Sequence, residues 1–247
     1  MDSMIYTALN GARQTLDEQT VVTHNLSNVS TTGFRAQFAA ARAVPVNGPA
    51  ENATNVATVA VAGAFDNASG ALQTTGRTLD VALGQQNWLA VQTPAGEAYT
   101  KRGDLQVDAN GQVTVNGMPV LGEGGPLVVP MGSELSIGDD GTISGINLGS
   151  SSNELVPLDR MKLVRVEQPT ELVRRDDGLF EAANGGALAQ DENASLRSGV
   201  LEGSNVNAVD AMVAMIDTQR RYELNMSVIK KADESAQRAN SLLSMKG

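Results

Sequence analysis

Glycine placement and apolar spacing constrain this 247-residue chain more than any other feature. Of its 25 glycines, 19 fall between Gly76 and Gly203, and the stretch from Val206 to Lys246 contains neither glycine nor proline. The helix-breaking residues therefore sit in the middle, and the ends are free to be helical. From Ser3 to Asn28 the positions Ile5, Leu9, Ala12, Leu16, Gln19, Thr23 and Leu26 alternate steps of four and three. That is the seam spacing of a coiled coil, and it predicts a first helix about 39 Å long. Asp2 or Ser3 is a suitable N-cap, and Thr31-Thr32-Gly33 a suitable stop. Met212, Met215, Gln219, Tyr222, Met226, Ile229, Asp233, Ala236, Asn240 and Leu243 repeat the alternation near the other end. Asn207 with Asp210 resembles a capping box, which predicts a second helix from about residue 207 to 245, about 58 Å long.

Polar residues interrupt both seams, and a hairpin of two such helices buries only one face of each. The missing partners are expected to be other copies or other chains. The side chains expected to form that assembly interface are Ile5, Leu9, Ala12, Leu16, Leu26, Met212, Met215, Tyr222, Met226, Ile229 and Leu243.

Between the helices, residues 76–203 read as short strands. Thr78–Leu83, Trp88–Thr93 and Met161–Val166 have strand patterning, and Asn110-Gly111, Asn116-Gly117, Asp140-Gly141 and Asp177-Gly178 are type I′ turn dipeptides. Residues 34–75 fit neither pattern. Thirteen of those 42 positions are alanine, and they read as a connector. The predicted class is α+β, with a discontinuous terminal coiled-coil domain from residues 1–33 and 204–247 and a central antiparallel β domain.

Charge follows the same division. The chain carries 18 basic and 28 acidic side chains, and residues 46–205 hold nine of the former and twenty of the latter. The helical ends are nearly neutral while the middle is acidic, which disfavours general binding of nucleic acid or of anionic membranes. Cysteine is absent and His24 is the single histidine, so thiol chemistry, disulfides and most zinc sites are excluded. Gly122-Glu123-Gly124-Gly125 precedes Pro126 and an apolar strand pattern rather than a helix, so it reads as a turn and not as a phosphate loop. Asp139-Asp140-Gly141 and Asp176-Asp177-Gly178 lack the alternating acids of a calcium loop and also read as turns. The opening Met1-Asp2-Ser3, with Arg13 as the first basic residue, does not fit a cleaved secretory signal, and no apolar window is long enough to span a bilayer.

Two terminal motifs carry a resemblance. Asn25-Leu26-Ser27-Asn28-Val29-Ser30-Thr31-Thr32-Gly33-Phe34-Arg35 resembles the N-terminal signature of the bacterial flagellar axial proteins, which build rod and hook. Gly199-Val200-Leu201-Glu202-Gly203-Ser204-Asn205-Val206, followed by Arg220-Arg221-Tyr222-Glu223, is similar to their C-terminal signature. Leu79–Leu83 and Tyr99-Thr100-Lys101-Arg102-Gly103 resemble the family's β-domain motifs. The start Met1–Ala8, the run Arg42-Ala43-Val44-Pro45-Val46 and the short length look like a proximal rod member, with a distal rod member as the alternative.

The resemblance implies paired terminal helices stacked into an inner tubular layer and delivery as an unfolded chain through the flagellar export apparatus. Implied partners are copies of the chain and other rod proteins. Catalysis, cofactors, metals, small-molecule substrates and membrane insertion are not implied. A reading from another class is a β-rich glycan hydrolase using Asp176, Asp177 or Glu181; a third is a secreted binding module.

Overall fold

The computed structural model describes residues 2–38, 40–45, 56–61, 65–146, 155–175 and 177–244. It is an α+β protein of two compact units. The first comprises Met1–Ser27, Gln37–Ala62 and Asn207–Gly247, and the second Asn28–Ala36 and Gly63–Val206.

In the first unit, helix α1 runs over Asp2–Ser27 and helix α2 over Ala208–Ser244. Asn207 caps α2, its Oδ1 accepting from the Val209 amide at 2.9 Å, while Asp210 lies in the first turn. The helices are antiparallel, because Gln19 reaches Gln219 while Thr15 reaches Asn225. Their buried residues are small: Ala8, Ala12 and Thr15 on α1, and Ala211, Thr218 and Ala232 on α2. Small side chains let two backbones approach closely. A Cβ added at Gly11 would lie 3.2 Å from Asn225 Oδ1. The first unit also holds an antiparallel strand pair, Ala40–Pro45 against Val56–Val61, within the stretch expected to be a connector. Its alanine-rich composition hides these strands from pattern reading, since neither period two nor turn dipeptides mark them.

The second unit is built on a five-stranded antiparallel sheet in the order Leu163–Arg165, Asn87–Thr93, Gly96–Thr100, Phe180–Ala182, Leu172–Arg174. Strand Asn87–Thr93, the second in that order, is covered on both faces. Leu89 and Val91 enter one apolar cluster with Leu105, Val113, Leu127, Ile143 and Met161. Trp88 and Ala90 enter the other with Phe65, Tyr99, Leu172 and Phe180. Phe65, Trp88 and Phe180 meet edge to face, with ring centroids 4.7 to 5.7 Å apart. Two smaller three-stranded sheets add to the unit, and strand Leu72–Thr74 pairs with Val200–Glu202.

The hairpin tips differ from expectation. Among the described residues only Asn116 has positive φ without being glycine, so only Asn116-Gly117 forms a type I′ turn. At Asn110-Gly111, Asp140-Gly141 and Asp177-Gly178 the glycine alone is left-handed. There an aspartate accepts from amides across the turn: Asp108 from Asn110 and Gln112, Asp140 from Thr142, and Asp177 from Leu179. A side-chain acceptor replaces the second left-handed residue. Gly122-Glu123-Gly124-Gly125 is a turn between two paired short strands, as expected.

Candidate functional site

Two groups of residues stand out, one in each unit. In the first unit, the fully buried residues between the helices are small, and several large ones stay exposed. Leu9 and Leu16 on α1 and Met212 and Met226 on α2 are 42 to 53% exposed. Ile5, Leu26, Met215, Tyr222 and Ile229 are half-buried, and Ala12 is buried between the helices. Leu243 falls within α2, but its side chain lies outside the described residues. Tyr6, Val209, Val213, Ile216, Leu224 and Val228 are further exposed apolar groups on these helices, beyond those expected. A groove of 680 Å³ beside Ile5, Met226 and Ile229 is edged by Glu223, Lys230 and Asp233. Polar links hold the pair together: Arg221 to Glu18 at 2.8 Å, and Asn225 to Thr15 at 3.5 Å.

Asn25 closes its own segment, exchanging two hydrogen bonds with the Gln37 backbone at 2.8 and 2.9 Å. His24 is half-buried.

In the second unit the two terminal motifs meet. Asn28 starts the turn, its carbonyl accepting from the Thr31 amide and its Oδ1 from the Thr31 hydroxyl. Gly33 has φ of +66°, and a Cβ there would lie 2.4 Å from the Lys101 carbonyl oxygen, so only glycine fits. Its amide donates to the Glu202 carbonyl at 2.7 Å. Phe34 is buried beneath the Arg174 guanidinium, 4.7 Å from the ring centroid.

Arg35 then reaches Glu202, Nη2 to Oε1 at 2.9 Å, with both side chains out of solvent. Glu202 Oε1 also accepts from the Gly70 amide. Lys101, equally buried, donates from Nζ to the Gly84 and Gln85 carbonyls at 2.7 and 2.8 Å. Burial first, and then the Arg35 charge, lower the Lys101 ammonium to about 7, while Glu202 works in the opposite direction.

Asn205 completes the joint. Its Oδ1 accepts from the Ala36 amide and its Nδ2 donates to the Asp66 and Ala68 carbonyls. Leu201 pairs with Gln73 across the strands, and Ser204 Oγ accepts from the Val206 amide. Sequence reading singled out Gly33, Phe34, Glu202 and Asn205 as motif residues, but not that Arg35 and Lys101 share one buried cluster with Glu202. The available signal was three ionisable residues inside three separate family-like motifs.

Three family models match stretches of the chain. Residues 5–35 match the flagella basal body rod protein family, residues 83–145 the flagellar hook protein FlgE/F/G D1 domain, and residues 197–242 the flagellar basal body rod FlgEFG protein C-terminal family. The flagellar basal-body rod proteins FlgF of Salmonella typhimurium and of Escherichia coli are each 50% identical to this chain, covering 99% of it and 100% of their own length. The chain belongs to the FlgF family of flagellar basal-body rod proteins. The rod protein FlgG of Bacillus subtilis is 27% identical over 94% of the chain, a more distant relation.

Gly33, Phe34 and Arg35, then Lys101, then Glu202 and Asn205 fall within the three matched stretches in turn. Of the carboxylates of the hydrolase reading, Asp177 pairs with Arg175 at 2.9 Å, Glu181 is exposed, and Asp176 is outside the described residues. Among the described residues no helix is long and apolar enough to cross a membrane.

Proposed function

We propose that this chain is a non-catalytic structural subunit of the proximal part of the flagellar rod, assembled through its terminal helices into a helical coiled-coil layer with copies of itself and other rod proteins. Many modest side-chain contacts distributed over such a lattice transmit motor torque without any single pair being strong. Membership of the FlgF family supports the rod assignment. The observation that carries the assembly mode is the exposure of Leu9, Leu16, Met212 and Met226 on helices whose mutual seam is made of alanine and threonine. Large apolar groups left in water on both helices are surface for neighbouring subunits. Delivery through the flagellar export apparatus belongs to the same reading.

Leu16→Asp and Met212→Asp test it. Each places a charge on an exposed position, so the subunit is expected to keep its fold while purified basal bodies lack complete rods and cells lose motility. Complete rods and normal swimming in both variants would overturn the assignment of this face to assembly.

A further inference from the structure

Two cations and one carboxylate are sealed together inside the second unit. Arg35, Lys101 and Glu202 are each at most 2% exposed. They come from the turn that follows α1, from the segment after strand Gly96–Thr100, and from strand Val200–Glu202. One carboxylate neutralises one cation, so the cluster carries a surplus positive charge, and an uncompensated buried charge is costly. The guanidinium keeps its proton in proteins, whereas an ammonium can release one. Lys101 Nζ has two carbonyl acceptors, those of Gly84 and Gln85, which match the two hydrogens of a neutral amine. The third hydrogen of the ammonium has no hydrogen-bond acceptor among the described residues, only the Trp88 ring with its centroid 5.2 Å from Nζ.

We propose that Lys101 is a proton-sensitive brace in this joint: release of its proton tightens the union of the N-terminal turn with the C-terminal strand, so the second unit is firmer on the alkaline side of neutrality. The groups facing Nζ are Arg35 from the turn, Glu202 from its strand, the Gly84 and Gln85 carbonyls, and Trp88 from strand Asn87–Thr93. Other charged side chains of adjoining segments are engaged elsewhere. Arg102 pairs with Asp104, Arg77 with Asp80, Asp191 accepts from Asn87, and Arg174 donates to the Arg35 carbonyl.

The Lys101 value of about 7 agrees with this charge count. In the unfolded chain a lysine holds its proton to about 10.4. Between these two values unfolding takes up a proton, so stability rises with pH across that window. Below it both states are protonated and the group contributes no slope. The inference is independent of what the subunit assembles with.

The test uses the full chain labelled at lysine 13Cε, with pH titration by NMR and urea unfolding followed by Trp88 fluorescence. One of the five lysines is expected to titrate near neutrality, and its resonance is expected to be absent from Lys101→Met. Between about pH 6.5 and about pH 9.5 the unfolding constant of the wild type, relative to Lys101→Met, is expected to fall on the order of 100-fold. Lys101→Arg, which keeps its charge, is expected to abolish that fall. Five lysines that all remain protonated at pH 9.5, or parallel pH profiles of wild type and Lys101→Met, would overturn the proposal. If Lys101→Met does not fold, the wild-type titration decides alone.

Discussion

Asn205 satisfies three backbone groups on two stretches of chain, one at Ala36 and one at Asp66 and Ala68, in addition to the bond from its own amide to the Phe34 carbonyl. No other side chain of the same size offers two donors and an acceptor in one plane. Asn205→Ala is therefore expected to cost the second unit about 2 kcal/mol, since three backbone partners, two of them in partly buried bonds, lose them at once; urea unfolding read by Trp88 fluorescence measures it. Gly33→Ala should destabilise the same unit by about 1–3 kcal/mol, from the left-handed backbone and the collision with the Lys101 carbonyl together. Tyr99 supplies a pH marker. Burial, with a smaller contribution from Glu97, raises its phenol to about 12, although the bond from the Leu188 amide opposes this. An unfolded tyrosine ionises near about 10. Above that point the unfolded state releases its proton first, so the stability that Tyr99 contributes is intact below about pH 10 and is lost as pH approaches about 12. Tyr99→Phe should remove this alkaline loss, together with one late phenolate step in the ultraviolet absorbance.

At the scale of elements, the helices separate two jobs that apolar spacing alone merges. Ala211, Thr218, Asn225 and Ala232 recur every seven residues on α2, and Ala8, Ala12 and Thr15 follow steps of four and three on α1; all but the half-buried Asn225 are buried. These residues make the contact within the chain. The larger side chains Leu9, Leu16, Met212 and Met226 stay 42 to 53% exposed. Enlarging the seam should therefore harm the isolated subunit: Ala12→Leu is expected to destabilise the helix pair by about 1–3 kcal/mol through overpacking. Leu16→Asp, one helical turn away on the exposed side, is expected to change monomer stability by less than about 0.5 kcal/mol. Circular dichroism melts of the two variants compare them directly, and equal effects would contradict the separation. The hairpin tips teach a related lesson. A dipeptide of Asn or Asp before Gly marks a turn reliably, but the carboxylates of Asp108, Asp140 and Asp177 choose a conformation with only one left-handed residue.

For the whole molecule, the two units are expected to lose structure at different points. Trp88 is the one tryptophan and is fully buried in the second unit, while helix ellipticity at 222 nm reports α1 and α2 in the first. The second unit has two apolar clusters, and the first rests on a narrow seam of small residues with large apolar groups left in water. The ellipticity is expected to fall at lower urea than the fluorescence changes; coincident transitions would show one cooperative body instead.

Much of this architecture was legible in the order of residues. Apolar spacing and glycine placement determined two terminal helices around an antiparallel β middle, because helix and strand periods are local properties of the chain. Motif order determined the family, and the missing cysteines closed off whole classes of chemistry. Three things needed the tertiary structure. The buried residues between the helices are alanines and threonines rather than leucines and methionines, which depends on how closely two backbones approach. Residues 40–45 and 56–61 pair as strands, and an alanine-rich composition does not announce that. Arg35, Lys101 and Glu202 share one buried cluster although 66 and 101 residues separate successive members, and only folding converts three ordinary surface-type residues into a set whose charges must be balanced against one another.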